Sequence, residues 1–154
     1  MILLCYEGST SSKHVIDVAH EILGDAKATV LHVWDPPASF LIGDTVSASG
    51  IGTMGAEQIQ ELDVIVRERA GRTLSAGVSL AREAGFDAEG RLEDSKGSPW
   101  RTILETAEEI EASVIVVGAH AVGAVEAALL GSVSTSLVHH AHRPVLLVPA
   151  VSES

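Results

Sequence analysis

Apolar residues in this chain alternate between two spacings, and that alternation restricts the fold more than any single motif. Short continuous runs at Ile2-Leu3-Leu4-Cys5-Tyr6, Ala28-Thr29-Val30-Leu31-His32-Val33-Trp34, Ser113-Val114-Ile115-Val116-Val117 and Pro144-Val145-Leu146-Leu147-Val148-Pro149 read as buried strands. Between them apolar residues return every three or four positions, which is the helical period. Val15, Val18, Ala19, Ile22 and Leu23 predict a helix over 12–23, with Ser11 or Ser12 able to cap it. Ile59, Leu62, Val66, Ala70, Leu74, Val78, Ala81 and Ala84 predict the buried stripe of a long helix over 57–84. Trp100, Ile103, Leu104, Ala107 and Ile110 line a helix opened by Ser98-Pro99, and a last helix spans 132–141. Residues 87–92 form a weaker strand with charges on alternate positions, as at a sheet edge.

The order is β-α-β-loop-α-β-α-β-α-β, which implies parallel pairing with helices on both faces of the sheet. A single domain is expected over 1–150, followed by a short tail at 151–154. The stretch 38–55 holds four glycines and three serines without a period, and reads as a long, mobile loop.

Composition narrows the function classes. Apolar residues make up 46% of the chain but aromatics only 3%, so the core must be aliphatic, as in buried parallel sheets. The formal charge is −11, from 21 acidic and 10 basic residues. Neither a nucleic-acid partner nor an anionic membrane suits such a balance, because both need clustered Lys and Arg. The N-terminus lacks a basic leader pattern and no run of about 18 apolar residues occurs, so a cytoplasmic protein is expected. Cys5 is the only cysteine and lies in an apolar run, where an inert buried thiol is expected.

Open parallel sheets bind ligands beyond the carboxyl ends of their strands, where the winding reverses. Two such ends carry chemistry here. One is Glu7-Gly8-Ser9 after the first strand; the other is Gly118-Ala119-His120-Ala121-Val122-Gly123, followed by Gly131-Ser132 at the start of the last helix. Gly131 would let backbone approach a ligand, and Ser132, Val133 and Ser134 offer N–H groups and hydroxyls at a helix N-terminus. On spacing alone, a phosphate cradle and plain helix capping are both open readings.

Val116-Val117-Gly118-Ala119-His120-Ala121-Val122-Gly123, Leu129-Leu130-Gly131-Ser132-Val133-Ser134 and Arg143-Pro144-Val145-Leu146-Leu147-Val148 together resemble the C-terminal half of a universal stress protein. That family's ATP signature is Gly, two residues, Gly, nine residues, then Gly-Ser or Gly-Thr. Gly118, Gly131 and Ser132 match it in register, with Ala121 at the middle glycine. Tyr6-Glu7-Gly8-Ser9 resembles the family's Asp-Gly-Ser turn, with Glu7 for Asp, and Leu31-His32-Val33 resembles its second strand.

The resemblance implies a doubly wound five-stranded parallel sheet of order 3-2-1-4-5, adenine-nucleotide alpha-hydrolase-like. It also implies a site for ATP or AMP, with Mg2+ accompanying ATP. Tyr6, Glu7, Gly8 and Val33 would bound the adenine pocket. Val117 and Gly118 would touch base and ribose, Ala121 would stand near the ribose, and Gly131, Ser132, Val133 and Ser134 would hold phosphates. A homodimer would form through Val145-Leu146-Leu147-Val148. Ala121 adds a Cβ at the ribose position, and Val122 stands where family members often carry a basic residue. A nucleotide-free scaffold and a weak nucleotide hydrolase are the competing readings.

Other constellations point to less. His139, His140 and His142 fit a helix C-terminus, where the dipole favours them, better than a metal site. His120 could meet phosphate or ribose, or face water. Trp34 and Trp100 read as packing groups, and Glu126 as a lone surface carboxylate. The sequence has no Gly-x-Ser-x-Gly elbow, no Gly-Lys-Ser/Thr loop and no Gly-x-Gly-x-x-Gly fingerprint.

Overall fold

A computed structural model describes residues 1–37, 55–119 and 131–149. Its elements are β1 (Ile2–Cys5), α1 (Ser12–Leu23), β2 (Lys27–Trp34), α2 (Ala56–Ala84), β3 (Asp87–Asp94), α3 (Pro99–Glu109), β4 (Val114–Ala119), α4 (Ser132–His140) and β5 (Val145–Pro149). The loop expected at 38–55 and the tail at 151–154 lie outside the described residues, Gly55 excepted.

The five strands form one parallel sheet in the order β3-β2-β1-β4-β5, the predicted topology of a doubly wound, adenine-nucleotide alpha-hydrolase-like α/β fold. β1 is central: Leu4 is in register with Val30 on one side and Val116 on the other. Strand alternation sends its side chains to two separate cores. Ile2 and Leu4 join Val30 and Val116 beneath α1 and α2, with Val15, Ile16, Ala19 and Ala81 buried there. Leu3 joins Leu31, Ile115 and Val117 against α3 and α4, with Ile103, Ala107 and Leu137 buried there. Both faces are thus covered, as the near-continuous apolar strands require.

The long helix departs from expectation in its first half. Ala70, Gly77 and Ala81 are buried, and Leu74, Val78 and Ala84 pack against the core. Leu62, on the predicted stripe, is exposed, as are Val64 and Ile65 beside it. The reason is length. A helix of 29 residues extends about 43 Å at 1.5 Å per residue, whereas the eight-residue β2 and β3 extend about 26 Å. The first turns of α2 therefore overhang the sheet, and a helical period there finds no sheet to face.

Smaller corrections concern the caps and ends. Ser11 is the N-cap of α1 and Ser98 that of α3, yet neither side chain bonds to its helix. The Ser11 hydroxyl instead lies 3.0 Å from that of Ser9, which also lies 3.1 Å from that of Ser12. β4 does not stop at Gly118 but continues to Ala119, with Gly118 paired to Val148. β3 runs on to Asp94 and occupies the predicted edge, β5 the other.

Candidate functional site

Between β1 and β4 the winding reverses, because β2 and β3 lie to one side and β5 to the other. A cavity of about 180 Å³ opens there, beyond the carboxyl ends of the central strands. Its walls combine residues of both cores. Val15 and Tyr6 come from one face, and Val33, Ile103, Val117 and Val133 from the other. Most of the lining is aliphatic, with polar groups from Glu7, Ser11, Ser12, Ser134, the Tyr6 phenol, the Cys5 thiol and the local backbone.

The turn after β1 is held from three sides. Tyr6 N–H donates to Leu31 O at 2.9 Å, continuing the strand pairing past Cys5. His32 donates from Nδ1 to the Tyr6 carbonyl at 2.8 Å, which fixes the ring's tautomer because a carbonyl can only accept. The Tyr6 ring is buried and lies against Gly77 of α2, where a Cβ would stand 2.6 Å from a ring carbon. Gly8 has φ +82°, a left-handed conformation that disfavours a side chain, and a Cβ there would meet the Thr73 methyl at 2.8 Å. The turn is thus wedged under α2.

The other rim is the end of β4 and the start of α4. The helix closes its first bond from Thr135 N–H to Gly131 O at 2.9 Å. The N–H groups of Ser132, Val133 and Ser134 therefore have no acceptor within the helix. Ser134 is buried, and its hydroxyl donates to Gly118 O at 3.1 Å, so it ties α4 to β4. Ser132 is exposed. Gly131 has φ −58° and ψ 162°, extended backbone that does not by itself require glycine.

Of the predicted site residues, Tyr6, Glu7, Val33, Val117, Gly118, Val133 and Ser134 line this cavity together. Gly8 supports the turn from behind, and Gly131 and Ser132 form the helix start beside it. Ala121 and His120 lie outside the described residues, as do Val122 and Glu126. Cys5, Ser11, Ser12, Val15, Pro99, Ile103 and Val148 also line the cavity, although none of them was expected as a site residue. Their signal was positional: each lies at a strand's end, at a helix's start, or on a helix's inward face. Burial pushes the Cys5 thiol up to about 12, so it stays protonated in the cavity wall.

The remaining candidates fall elsewhere. Trp34 borders a separate depression with Asp63, Arg67 and Asp94. Trp100 stacks on His140, their ring centres 4.5 Å apart, and His140 Nδ1 donates to Ser136 O at 2.9 Å. His140 therefore closes the helix end, and among the described residues no group of three or more His, Cys, Asp or Glu could hold a metal.

A profile of the Universal stress protein family matches residues 1–149. The chain belongs to the universal stress protein family. Two curated relatives are YxiE of Bacillus subtilis, 29% identical over 96% of this chain and 97% of that one, and MJ0531 of Methanocaldococcus jannaschii, 32% identical over 90% of this chain and 72% of that one. Among solved structures, a universal stress protein of Archaeoglobus fulgidus in complex with dAMP is 24% identical, with a TM-score of 0.62 over 96% of this chain and 95% of that one. Another universal stress protein, in complex with cAMP, is 22% identical, with a TM-score of 0.63 over 96% of this chain and 94% of that one. At these identities the two structures establish the shared fold.

Proposed function

We propose that this universal stress protein is an adenine-nucleotide-binding regulatory protein of the stress response, and that the cavity between β1 and β4 is its nucleotide site. The observation that carries this reading is the convergence of Tyr6, Glu7, Val33, Val117, Gly118, Val133 and Ser134 on one cavity at the switch point. The aliphatic walls suit a flat, weakly polar base. The open N–H groups of Ser132 to Ser134 suit a phosphate, helped by the partial positive charge of the helix start. Related structures bound to dAMP and to cAMP support the ligand class. ATP would be a further ligand, with Mg2+ bound to its phosphates. The reading assigns no catalytic residue, and any hydrolysis would be slow.

The same proposal includes a cytoplasmic homodimer. β5 is a sheet edge whose Val145, Leu146 and Leu147 are only half-buried, an apolar strand that needs a partner. No helix among the described residues is long and apolar enough to cross a membrane. Ala121, at the family's middle glycine, favours a second reading in which a dimeric scaffold binds no nucleotide.

Calorimetric titration of the purified protein with ATP, ADP and AMP separates the two. Saturable binding of at least one is expected. Silence from all three at millimolar ligand would refute the nucleotide reading and leave the scaffold. Affinity that emerges only in Ala121→Gly would assign the loss to that side chain.

A further inference from the structure

The pairing of β2 determines which backbone groups its last residues leave for a ligand. In a parallel sheet one residue turns its N–H and C=O to one neighbouring strand, and the next residue turns them to the other. Asp87 N–H donates to Ala26 O at 3.0 Å and Ser95 N–H to Trp34 O at 2.9 Å, so the even-numbered positions along β2 face β3. Tyr6 N–H donates to Leu31 O at 2.9 Å, so the odd-numbered positions face β1. Cys5 is in register with Leu31. The next rung on that side would belong to Val33. Its N–H would meet the Tyr6 carbonyl, and its carbonyl would meet the Gly8 N–H.

Among the described residues neither bond forms, and two local features account for this. The chain leaves the extended path at Gly8, where φ is +82°, so no strand continues opposite the Val33 carbonyl. The Tyr6 carbonyl is taken by a different donor: Nδ1 of the half-buried His32, one residue before Val33, reaches it at 2.8 Å. Val33 lines the cavity. Its N–H and C=O face the side on which β1 has ended, a donor beside an acceptor. Such a pair suits a ring nitrogen and the amino group of an adenine edge. Without the imidazole, the Tyr6 carbonyl would lack a donor, and the Val33 N–H is the ladder partner in register with it.

Resting on the adenine-nucleotide reading above, we infer that His32 is a positioning residue: by holding the Tyr6 carbonyl it keeps that carbonyl off the Val33 N–H and leaves the Val33 backbone open to the base.

The test is amide-resolved hydrogen exchange of the intact protein by NMR, with titrations of adenosine and AMP. In the free protein the Val33 amide should exchange about tenfold or more faster than that of Leu31, which has a rung in the ladder. Adenosine should slow it. His32→Leu removes the donor and keeps an apolar side chain. It should slow Val33 exchange without ligand and weaken adenosine and AMP alike by about tenfold. Simple loosening of the turn would move that exchange the other way. His32→Asn carries a side-chain N–H in place of Nδ1 and should return both readouts to within about threefold of the native protein. A Val33 amide already protected in the free native protein would overturn the proposal. So would native adenosine affinity in His32→Leu, or an Asn variant as weak as the Leu one. Should His32→Leu not fold, native Val33 exchange and the Asn variant still decide. If neither ligand binds the native protein, the nucleotide reading fails, while the free-state exchange of Val33 still reports what His32 does to the ladder.

Discussion

The β1–α1 turn and the start of α4 border the same cavity, and the chain builds them differently. At Tyr6 and Gly8 the backbone is fixed by what presses on it: the Leu31 carbonyl, the His32 ring, Gly77 and Thr73. At Ser132 to Ser134 it is defined by N–H groups left open, with a single hydroxyl tether to Gly118. The first rim is a packing problem, and its residues are constrained by volume and by φ. The second is a donor array, constrained by helix position. A substitution at the first should therefore register in stability before binding, and a substitution at the second in the opposite order.

Gly77→Val is the strongest way to break the first rim. The added Cβ would stand 2.6–3.0 Å from three carbons of the Tyr6 ring. Ring or helix must move, and overpacking of this kind costs about 3 kcal/mol. Urea unfolding should show a lower midpoint with an unchanged slope, and the displaced Tyr6 should weaken every adenine ligand alike. Near-native stability would mean that α2 does not hold the turn.

That contact also marks where the sequence was readable and where it was not. The apolar runs at Ile2 to Cys5 and Val114 to Val117 were legible as buried strands, because a sheet covered on both faces needs aliphatic side chains on both. Sheet order came from the family resemblance; the periods gave only parallel pairing. The motif residues at strand ends converged because the switch point gathers those ends whatever lies between. Helical period told which side of α2 faces inward but not how far the sheet extends, so Leu62 looked buried when it overhangs. It also passed over Gly77, since a residue without a side chain adds nothing to an apolar pattern. Cys5, Val15, Pro99 and Val148 looked like ordinary core and helix positions, because a cavity wall and a core use the same aliphatic residues.

Gly8→Ala tests the same rim through a smaller effect. Two costs combine there: an L-residue at φ +82° and a contact of 2.8 Å with the Thr73 methyl. Together they should lower stability by about 2 kcal/mol. Thr73→Ser removes that methyl and retains a hydroxyl able to donate to Arg69 O. In the double variant roughly half of the loss should return, and the remainder is the cost of the left-handed backbone. Full recovery would show that sterics alone required glycine; no recovery would show that conformation alone did.

Ser134→Ala and Ser132→Ala address the second rim, where the effects are smallest and most informative. Ser134 is buried, and its hydroxyl satisfies the Gly118 carbonyl at the site's floor. Removing it leaves that acceptor without its donor and should cost about 1 kcal/mol. Because the proton points at Gly118, the loss should weaken adenosine and AMP equally. Ser132 is exposed. Its alanine variant should leave stability within about 0.5 kcal/mol, yet weaken AMP relative to adenosine, since the hydroxyl serves only the phosphate. Chemical denaturation and paired titrations of the two ligands read both quantities. If Ser134→Ala singles out AMP while Ser132→Ala does not, the hydroxyl at Ser134 turns to the phosphate when ligand binds, and the tether to Gly118 describes only the empty cavity.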